Sequence, residues 1–430
     1  MLKNTLLFVV LFALAKGLFT QSLYFPPINS DNWDTLSPQE LNYCKQELDD
    51  LYYYLDSVDS KAFILLINGK IVIEQYFGNF TKDSFWYWAS AGKTLTASLI
   101  GIAQEKNLLK LNDPSSKYLG EGWTSLTKTQ EDFIQIWNQL TMTTGLDDAN
   151  NADCTDPNCL KYKAAVGTRW AYHNAPYTLL DKVIEVSSKL TLNQFLLNNL
   201  TPNTGIKALY IQNGFNKVAF STPRNFAKFG LLLLAKGKWD QNQTIPSNYF
   251  NSMVNSSQNL NASYGYLTWL NGKENFMIPQ SQLRFSGSPI KYAPDDCIMA
   301  LGKNGQMIHV SPSKNMVWIR MGNAPEGASP LVNFDLGEGI WHYVNRLDCN
   351  QIKQDYLNKV EFKYYPNPLQ FPYKLTLDNL DNDCIVEIWN TTSKVGIKIL
   401  DETNSIELPG YSPGLYFIKI ENAIFPIVLE

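Results

Sequence analysis

Apolar and polar positions alternate in two registers along this chain. Ala62–Ile67 and Lys70–Phe77 are apolar, β-branched runs on either side of Asn68-Gly69. That arrangement predicts a β-hairpin, because Asn-Gly readily takes the left-handed backbone of a two-residue turn. Gln306–Val310 and Met316–Met321, around a turn at Pro312–Asn315, predict a second hairpin. Between the hairpins the apolar spacing is helical. Leu95, Leu99, Ile100, Ile102, Ala103, Leu108 and Leu109 give a helix with a broad apolar side that opens near Ser90. Ala175–Val186 and Thr222–Leu234 read as core helices, and Leu331–Leu347 as an amphipathic one. Strands at both ends of a largely helical region predict one sheet assembled from distant segments, within a main domain at 24–349. Residues 350–363 are polar and charged, a linker. From 364 to 430 short strand-like runs separated by turn residues predict a small all-β module. The expected class is α/β of the α+β kind.

Composition narrows the functional classes. The chain has 430 residues, 45% of them hydrophobic and 13% aromatic, enough for a large core. Its net charge of −4, with no basic run, argues against nucleic acid as a partner. Met1–Thr20 has the layout of a secretory signal: Lys3, then the short apolar run Leu6–Ala15, then small residues. That run is too short to span a bilayer, and no later segment qualifies, so an exported chain without a transmembrane segment is expected. Export permits disulfides. Cys154 and Cys159 flank Thr-Asp-Pro-Asn and are expected to pair; Cys44, Cys297, Cys349 and Cys384 stay unassigned. No histidine or second cysteine pair stands near them at zinc-ligand spacing, and neither a metal nor a cofactor is implied.

Ser90-Ala91-Gly92-Lys93 carries the chemistry. A serine hydroxyl needs help to lose its proton. A lysine three residues on lies one helical turn away on the same face. Ser-x-x-Lys recurs at Ser125/Lys128, Ser288/Lys291 and Ser311/Lys314. Pro289 and Pro312 disfavour a helical turn in two of these, and Ser125 leads into a polar stretch. Ser90 alone opens an apolar helix, where the dipole favours developing negative charge. No Gly-x-Ser-x-Gly elbow is present and only His173, His309 and His342 exist, which disfavours a Ser-His-Asp arrangement. The other candidate base is Tyr172, within Tyr172-His173-Asn174, if lysine ammonium groups lower its pKa. Lys303-Asn304-Gly305-Gln306 is read as a strand opening. There Lys303 could hold charge, Gly305 could admit a ligand, and the Gln306 N–H could join that of Ser90 as an oxyanion hole. Trp86, Tyr87 and Trp88 are candidates for shaping a pocket.

Ser-x-x-Lys, Tyr-x-Asn and Lys-x-Gly in this order resemble the boxes of the serine β-lactamase-related family, nearest the class C type. Leu140–Leu146, Ser221–Gly230 and Tyr264-Gly265-Tyr266 resemble further segments of that family, so the similarity spans roughly 60–345. The resemblance implies a mixed, mainly antiparallel sheet flanked by helices, a helical subdomain, and a site between them. It also implies roles. Ser90 attacks a carbonyl and Lys93 shares its proton. Tyr172 acts as base and then as acid. Asn174 orients substrate, with Lys303, Asn304 and Gly305 beside it. The third box has an amide, Asn304, where the family has a threonine hydroxyl that helps bind a β-lactam carboxylate. That turns the expectation toward a small-molecule or peptide substrate with an ester, amide or peptide bond. The alternative is a non-catalytic surface protein that binds peptidoglycan or a partner in the same cleft. Tyr365-Pro366-Asn367-Pro368 and Ser412–Ile418 resemble the C-terminal sorting domain of the type IX secretion system. This implies a β-sandwich-like module, that machinery as a partner, and a secreted or cell-surface location. The closing Pro426–Glu430 lacks the usual terminal lysine.

Overall fold

A computed structural model describes residues 23–149, 151–324 and 332–349. Beyond these it describes the strand-bearing stretches 364–365, 374–377, 385–390, 394–399, 405–408, 410–420 and 423–429. The expected leader at 1–20, the linker at 350–363, Pro366–Pro368 and Cys384 lie outside the described residues. The chain divides into two compact units, Met1–Cys349 and Asn350–Glu430.

In the first unit, α1 (Lys45–Ser57) leads into the hairpin of β1 (Ser60–Ile67) and β2 (Lys70–Tyr76). Asn68 and Gly69 both have positive φ, 51° and 83°, the left-handed turn that suits the twist of paired strands. The short strand β3 (Trp86–Tyr87) precedes the long helix α2 (Gly92–Glu105). Then follow α3 (Asn174–Ser188), β4 (Leu209–Asn213), β5 (Asn216–Ser221) and α4 (Pro223–Leu234). The chain returns to the sheet through β6 (Trp269–Leu270), β7 (Ile298–Gly302), β8 (Gln306–Ser311) and β9 (Met316–Gly322), and α5 (Phe334–Asn345) follows.

The main sheet runs β2-β1-β9-β8-β7-β6 and every pairing in it is antiparallel. Its centre is buried on both faces: every residue of β8 and β9 is buried. Helix α4 packs on β1, β8 and β9, and α1 packs on β1 and α5. Gly230 lets α4 approach, since a Cβ there would lie 2.5 Å from Val317 Cγ1. Strands β3, β5 and β4 make a separate three-stranded sheet.

The second unit contains β10 (Tyr364–Tyr365), β11 (Lys374–Leu377), β12 (Ile385–Trp389), β13 (Lys394–Ile399), β14 (Ser405–Glu407), β15 (Gly414–Ile420) and β16 (Ala423–Leu429). They form sheets β10-β11-β14 and β13-β12-β15-β16. Leu375 and Ile406 from the first share a core with Val386, Ile388, Ile418 and Ile427 from the second. Two sheets over one core is a sandwich.

Candidate active site

Ser90 sits in a single 3-10 turn, Ala89–Ala91, between β3 and α2. Two hydrogen bonds of Trp88 fix that turn. Trp88 is fully buried, and its indole N–H donates to Ser221 Oγ at 2.8 Å. The Trp88 N–H donates to Ala219 O at 2.7 Å. Ala89 has φ 47°, a left-handed conformation that a residue with a Cβ rarely adopts. Such strain persists only where the surroundings over-determine it, and it concentrates at functional sites.

Lys93 lies in the first turn of α2 and is 3% exposed. Its Nζ donates to Ser90 Oγ at 2.8 Å. Two rings enclose the amine: Nζ is 4.9 Å from the Tyr172 ring centroid and 4.3 Å from that of Tyr177. Burial pushes the Lys93 pKa down to about 7, with Asp153 and Asp181 partly opposing the fall. A lysine in this state is neutral for much of the time near neutral pH and can accept a proton from the hydroxyl it touches.

The Tyr172 phenol faces Ser90, but its pKa moves opposite to the sequence expectation. Burial raises it, and Ser90 opposes this only in part. Trp269 stacks on the Tyr172 ring with centroids 5.9 Å apart, and Tyr264 and Trp170 pack against it edgewise or tilted. Lys93 is the lysine that meets this phenol, with Nζ 4.9 Å from its ring centroid. Lys303 is exposed, in a turn (Lys303–Gly305) between β7 and β8 rather than at a strand opening.

That turn also relocates the rest of the third box. Asn304 has φ 62° and Gly305 φ 72°. Asn304 Nδ2 donates to Tyr87 Oη at 2.8 Å, tying the turn to β3. Gln306 opens β8 opposite Gly302, and its side-chain amide donates to Gly322 O at 2.6 Å. The strand backbone that meets the serine is at Gly302. A Cβ there would lie 2.5 Å from Trp88 O, 2.9 Å from Ala91 N and 3.0 Å from Ser90 N. Gly302, with no Cβ, lets the end of β7 approach the nucleophile turn. A Cβ on Gly305 would instead meet Leu336 and Arg320. Arg320, fully buried on β9, donates to Asn304 O, Gly305 O, Val58 O, Asn323 O and Ser60 Oγ, and so braces the turn from below.

Asn174 begins α3, two residues after Tyr172, and its Nδ2 donates to Asp153 Oδ1 at 2.7 Å. Cys154, next to Asp153, is disulfide-bonded to Cys159, and the Ala175 N–H donates to Ala152 O at 2.8 Å. The cysteine loop is thereby fastened to the first turn of α3. His173 is buried and pushed down to about 4, and its Nδ1 has no hydrogen-bond partner. His309 is buried, stacks on Trp318 and accepts from Trp341 Nε1 at 3.0 Å. Neither serves Ser90. Ser90, Lys93 and Tyr172 come together, and Asn174 turns its amide to Asp153; Lys303 is exposed in its turn and the Gln306 side chain is tied to Gly322. Asp153, Tyr177, Gly302 and Arg320 escaped the sequence reading. Among the described residues, no cluster of His, Cys, Asp and Glu could hold a metal.

Solved structures with this arrangement of sheet and helices include a 6-aminohexanoate-dimer hydrolase candidate from Bacillus anthracis (TM-score 0.56, 18% identity, 75% of this chain and 90% of that one). A beta-lactamase candidate from Bacteroides dorei aligns with TM-score 0.55 and 16% identity, over 71% of this chain and 99% of that one. An octameric penicillin-binding protein homologue from Pyrococcus abyssi aligns with TM-score 0.52 and 14% identity, over 89% and 98%. At these identities the likeness is one of fold. An uncharacterised protein of Alkalihalophilus pseudofirmus is 22% identical over 317 residues, 65% of this chain and 89% of that protein. The profile of the Beta-lactamase family matches residues 56–333, which include Ser90, Lys93, Tyr172 and the sheet that holds them. The chain belongs to the beta-lactamase family.

Proposed function

We propose that this chain is an exported serine hydrolase that cleaves an ester, amide or peptide bond through an acyl-enzyme at Ser90. The observation that carries this reading is the 2.8 Å contact from the buried Lys93 Nζ to Ser90 Oγ. Neutral Lys93 takes the Ser90 proton as Oγ attacks the carbonyl carbon. The carbonyl π bond becomes an oxyanion beside the Ser90 N–H. The tetrahedral species collapses by breaking the bond to the leaving group. Tyr172, kept as a neutral phenol by burial, protonates that group and is reprotonated from Lys93. Water then attacks the acyl carbon by the same proton path and releases the acid. Asn304, standing in the third box in place of a threonine hydroxyl, supports an ester, amide or peptide substrate over a β-lactam. The leader-like Met1–Thr20, the disulfides and the C-terminal sandwich support export and sorting by a type IX system to the surface or medium.

The test is acylation. Wild type should release p-nitrophenol from p-nitrophenyl acetate with a burst, and a fluorophosphonate should label it at Ser90. Ser90→Ala should lower turnover by roughly 10³-fold or more and abolish labelling. Labelling retained in that variant sinks the reading. Tight ligand retention without any turnover would favour the binding-only alternative.

A further inference from the structure

A cavity of about 610 Å³ opens beside the start of α4. Its walls come from residues 28–33, Lys82 and Asp83, residues of the 201–207 stretch, and the first turns of α4. Ser90, Lys93 and Tyr172 do not line it, so it is separate from the hydrolytic site. Its walls are braced. Arg224 forks onto Glu74, with Nε 2.7 Å from Oε1 and Nη2 2.8 Å from Oε2, and its Nη1 donates to Asp31 O at 2.7 Å. Gly205 lets the 28–33 loop close in, since a Cβ there would lie 2.8 Å from Ile28 O. Lys228 lies one turn after Arg224 on the same face of α4. It is 8% exposed, lines the cavity, and makes no hydrogen bond and no ion pair with a described residue. A buried ammonium is costly unless an acceptor or an opposite charge meets it. The charges around Lys228 are Asp31, Lys207 and Arg224. Arg224 is matched by Glu74, and Lys82 pairs with Asp83 at 3.2 Å. That leaves two cations, Lys207 and Lys228, against one carboxylate, Asp31. The helix adds to the imbalance. Thr222 at its N-cap makes no side-chain bond to the helix, and its Oγ1 accepts instead from Asn225 Nδ2 at 2.8 Å. The backbone N–H groups of the first turn are therefore uncapped by Thr222, at the positive end of the helix dipole.

We propose that this cavity binds a phosphoryl group, held by Lys228, Lys207 and the start of α4. A helix N-terminus joined by lysine ammonium groups is the chemistry that recognises phosphate. The volume is that of a small-molecule site and exceeds what one phosphate fills. Ser30, Asn32 and Thr201 line the remainder and suit the hydroxyl groups of an organic body. The proposal stands whether or not Ser90 forms an acyl-enzyme.

Isothermal titration calorimetry of the full chain, in a chloride buffer of fixed ionic strength, tests this with glucose 6-phosphate, inorganic phosphate and glucose. Saturable single-site binding of a phosphate probe is expected, with none of glucose. The tighter of the two phosphates tells an ester from the free ion. Lys228→Met should weaken that binding by about tenfold or more, since it removes a charge-assisted hydrogen bond. Lys207→Glu should weaken it at least as much by placing a carboxylate on the same wall. Lys207 is exposed, so this second variant keeps the fold and decides the matter should Lys228→Met not fold. Circular dichroism checks both variants. Absence of saturable binding by either phosphate, equal binding of glucose, or an affinity unchanged in either folded variant overturns the proposal.

Discussion

At the residue scale, two titratable groups one contact apart from the nucleophile are driven in opposite directions by the same burial. A buried amine loses charge and a buried phenol keeps its proton. Lys93 is pushed down to about 7 while the Tyr172 pKa is raised, so the proton acceptor is the amine. If the reaction needs neutral Lys93, kcat/KM for a neutral ester should rise with pH and bend near pH 7, where Lys93 loses its proton. An acid limb near pH 4 would point to His173 instead, whose pKa falls to about 4. A stability effect comes with it. The folded-state pKa of Lys93 lies below its unfolded value of 10.5, so the unfolded chain binds more protons between about pH 7 and pH 10.5. Stability therefore rises with pH across that window, and the penalty is fully present below pH 7. Lys93→Met should abolish turnover yet raise unfolding free energy at pH 7 by roughly 1–2 kcal/mol. Urea denaturation of both proteins at pH 7 and pH 10 checks this. The advantage of the variant should shrink at the higher pH, and a destabilised variant at pH 7 would show that Lys93 is held by its contacts rather than strained by burial.

At the element scale, local signals were legible and long-range placements were not. Asn68-Gly69 between two apolar runs foretold the β1–β2 hairpin, because the left-handed turn is decided by two adjacent residues. The same dipeptide stands at Asn304-Gly305, with φ values of 62° and 72° beside 51° and 83° at 68–69. In sequence it reads as Lys-x-Gly at a strand opening, whereas the structure makes Lys303–Gly305 a turn between β7 and β8. Ser90 and Lys93 were legible because one helical turn relates them. Asp153 was not, since its contact with Asn174 crosses 21 residues and depends on how the cysteine loop folds back. Gly302 was missed because its neighbours are backbone atoms of a distant turn, which no pattern of side chains reveals. That contact yields a prediction. At Gly302→Ala, Cβ would face Trp88 O, Ala91 N and Ser90 N within 3.0 Å, and all of these are backbone. The nucleophile turn must shift, and kcat/KM should fall by roughly 10- to 100-fold. Thermal unfolding should drop by only a few degrees. Undiminished turnover would mean that the turn tolerates displacement from β7.

At the scale of the whole molecule, the first unit is closed by a covalent link. Cys44 precedes α1 and pairs with Cys349, the last residue of that unit, across 305 positions of sequence. Neither the spacing nor the flanking residues announced this pairing, because only the folded unit brings its two ends together. The link sits where secondary structure already converges. The Cys44 N–H donates to Leu347 O at 2.8 Å and the Cys349 N–H to Asn42 O at 3.0 Å. Closing so long a loop restricts the unfolded chain more than the folded one, and the loop-entropy relation puts the stabilisation at roughly 5–6 kcal/mol. The Cys154–Cys159 bridge, which closes a separation of 5, restricts the unfolded chain far less and lies next to Asp153, which accepts from Asn174. The two disulfides should therefore separate by readout. Cys44→Ser/Cys349→Ser should lower the unfolding temperature by several degrees and leave kcat/KM near wild type at 25 °C. Cys154→Ser/Cys159→Ser should unfold near the wild-type temperature and lose kcat/KM. Calorimetry and ester kinetics on both variants decide the matter. If the long bridge proved neutral to stability, the hydrogen-bonded ends would be sufficient to hold the unit closed. If the short bridge left kinetics untouched, Asn174 would be positioned by α3 alone.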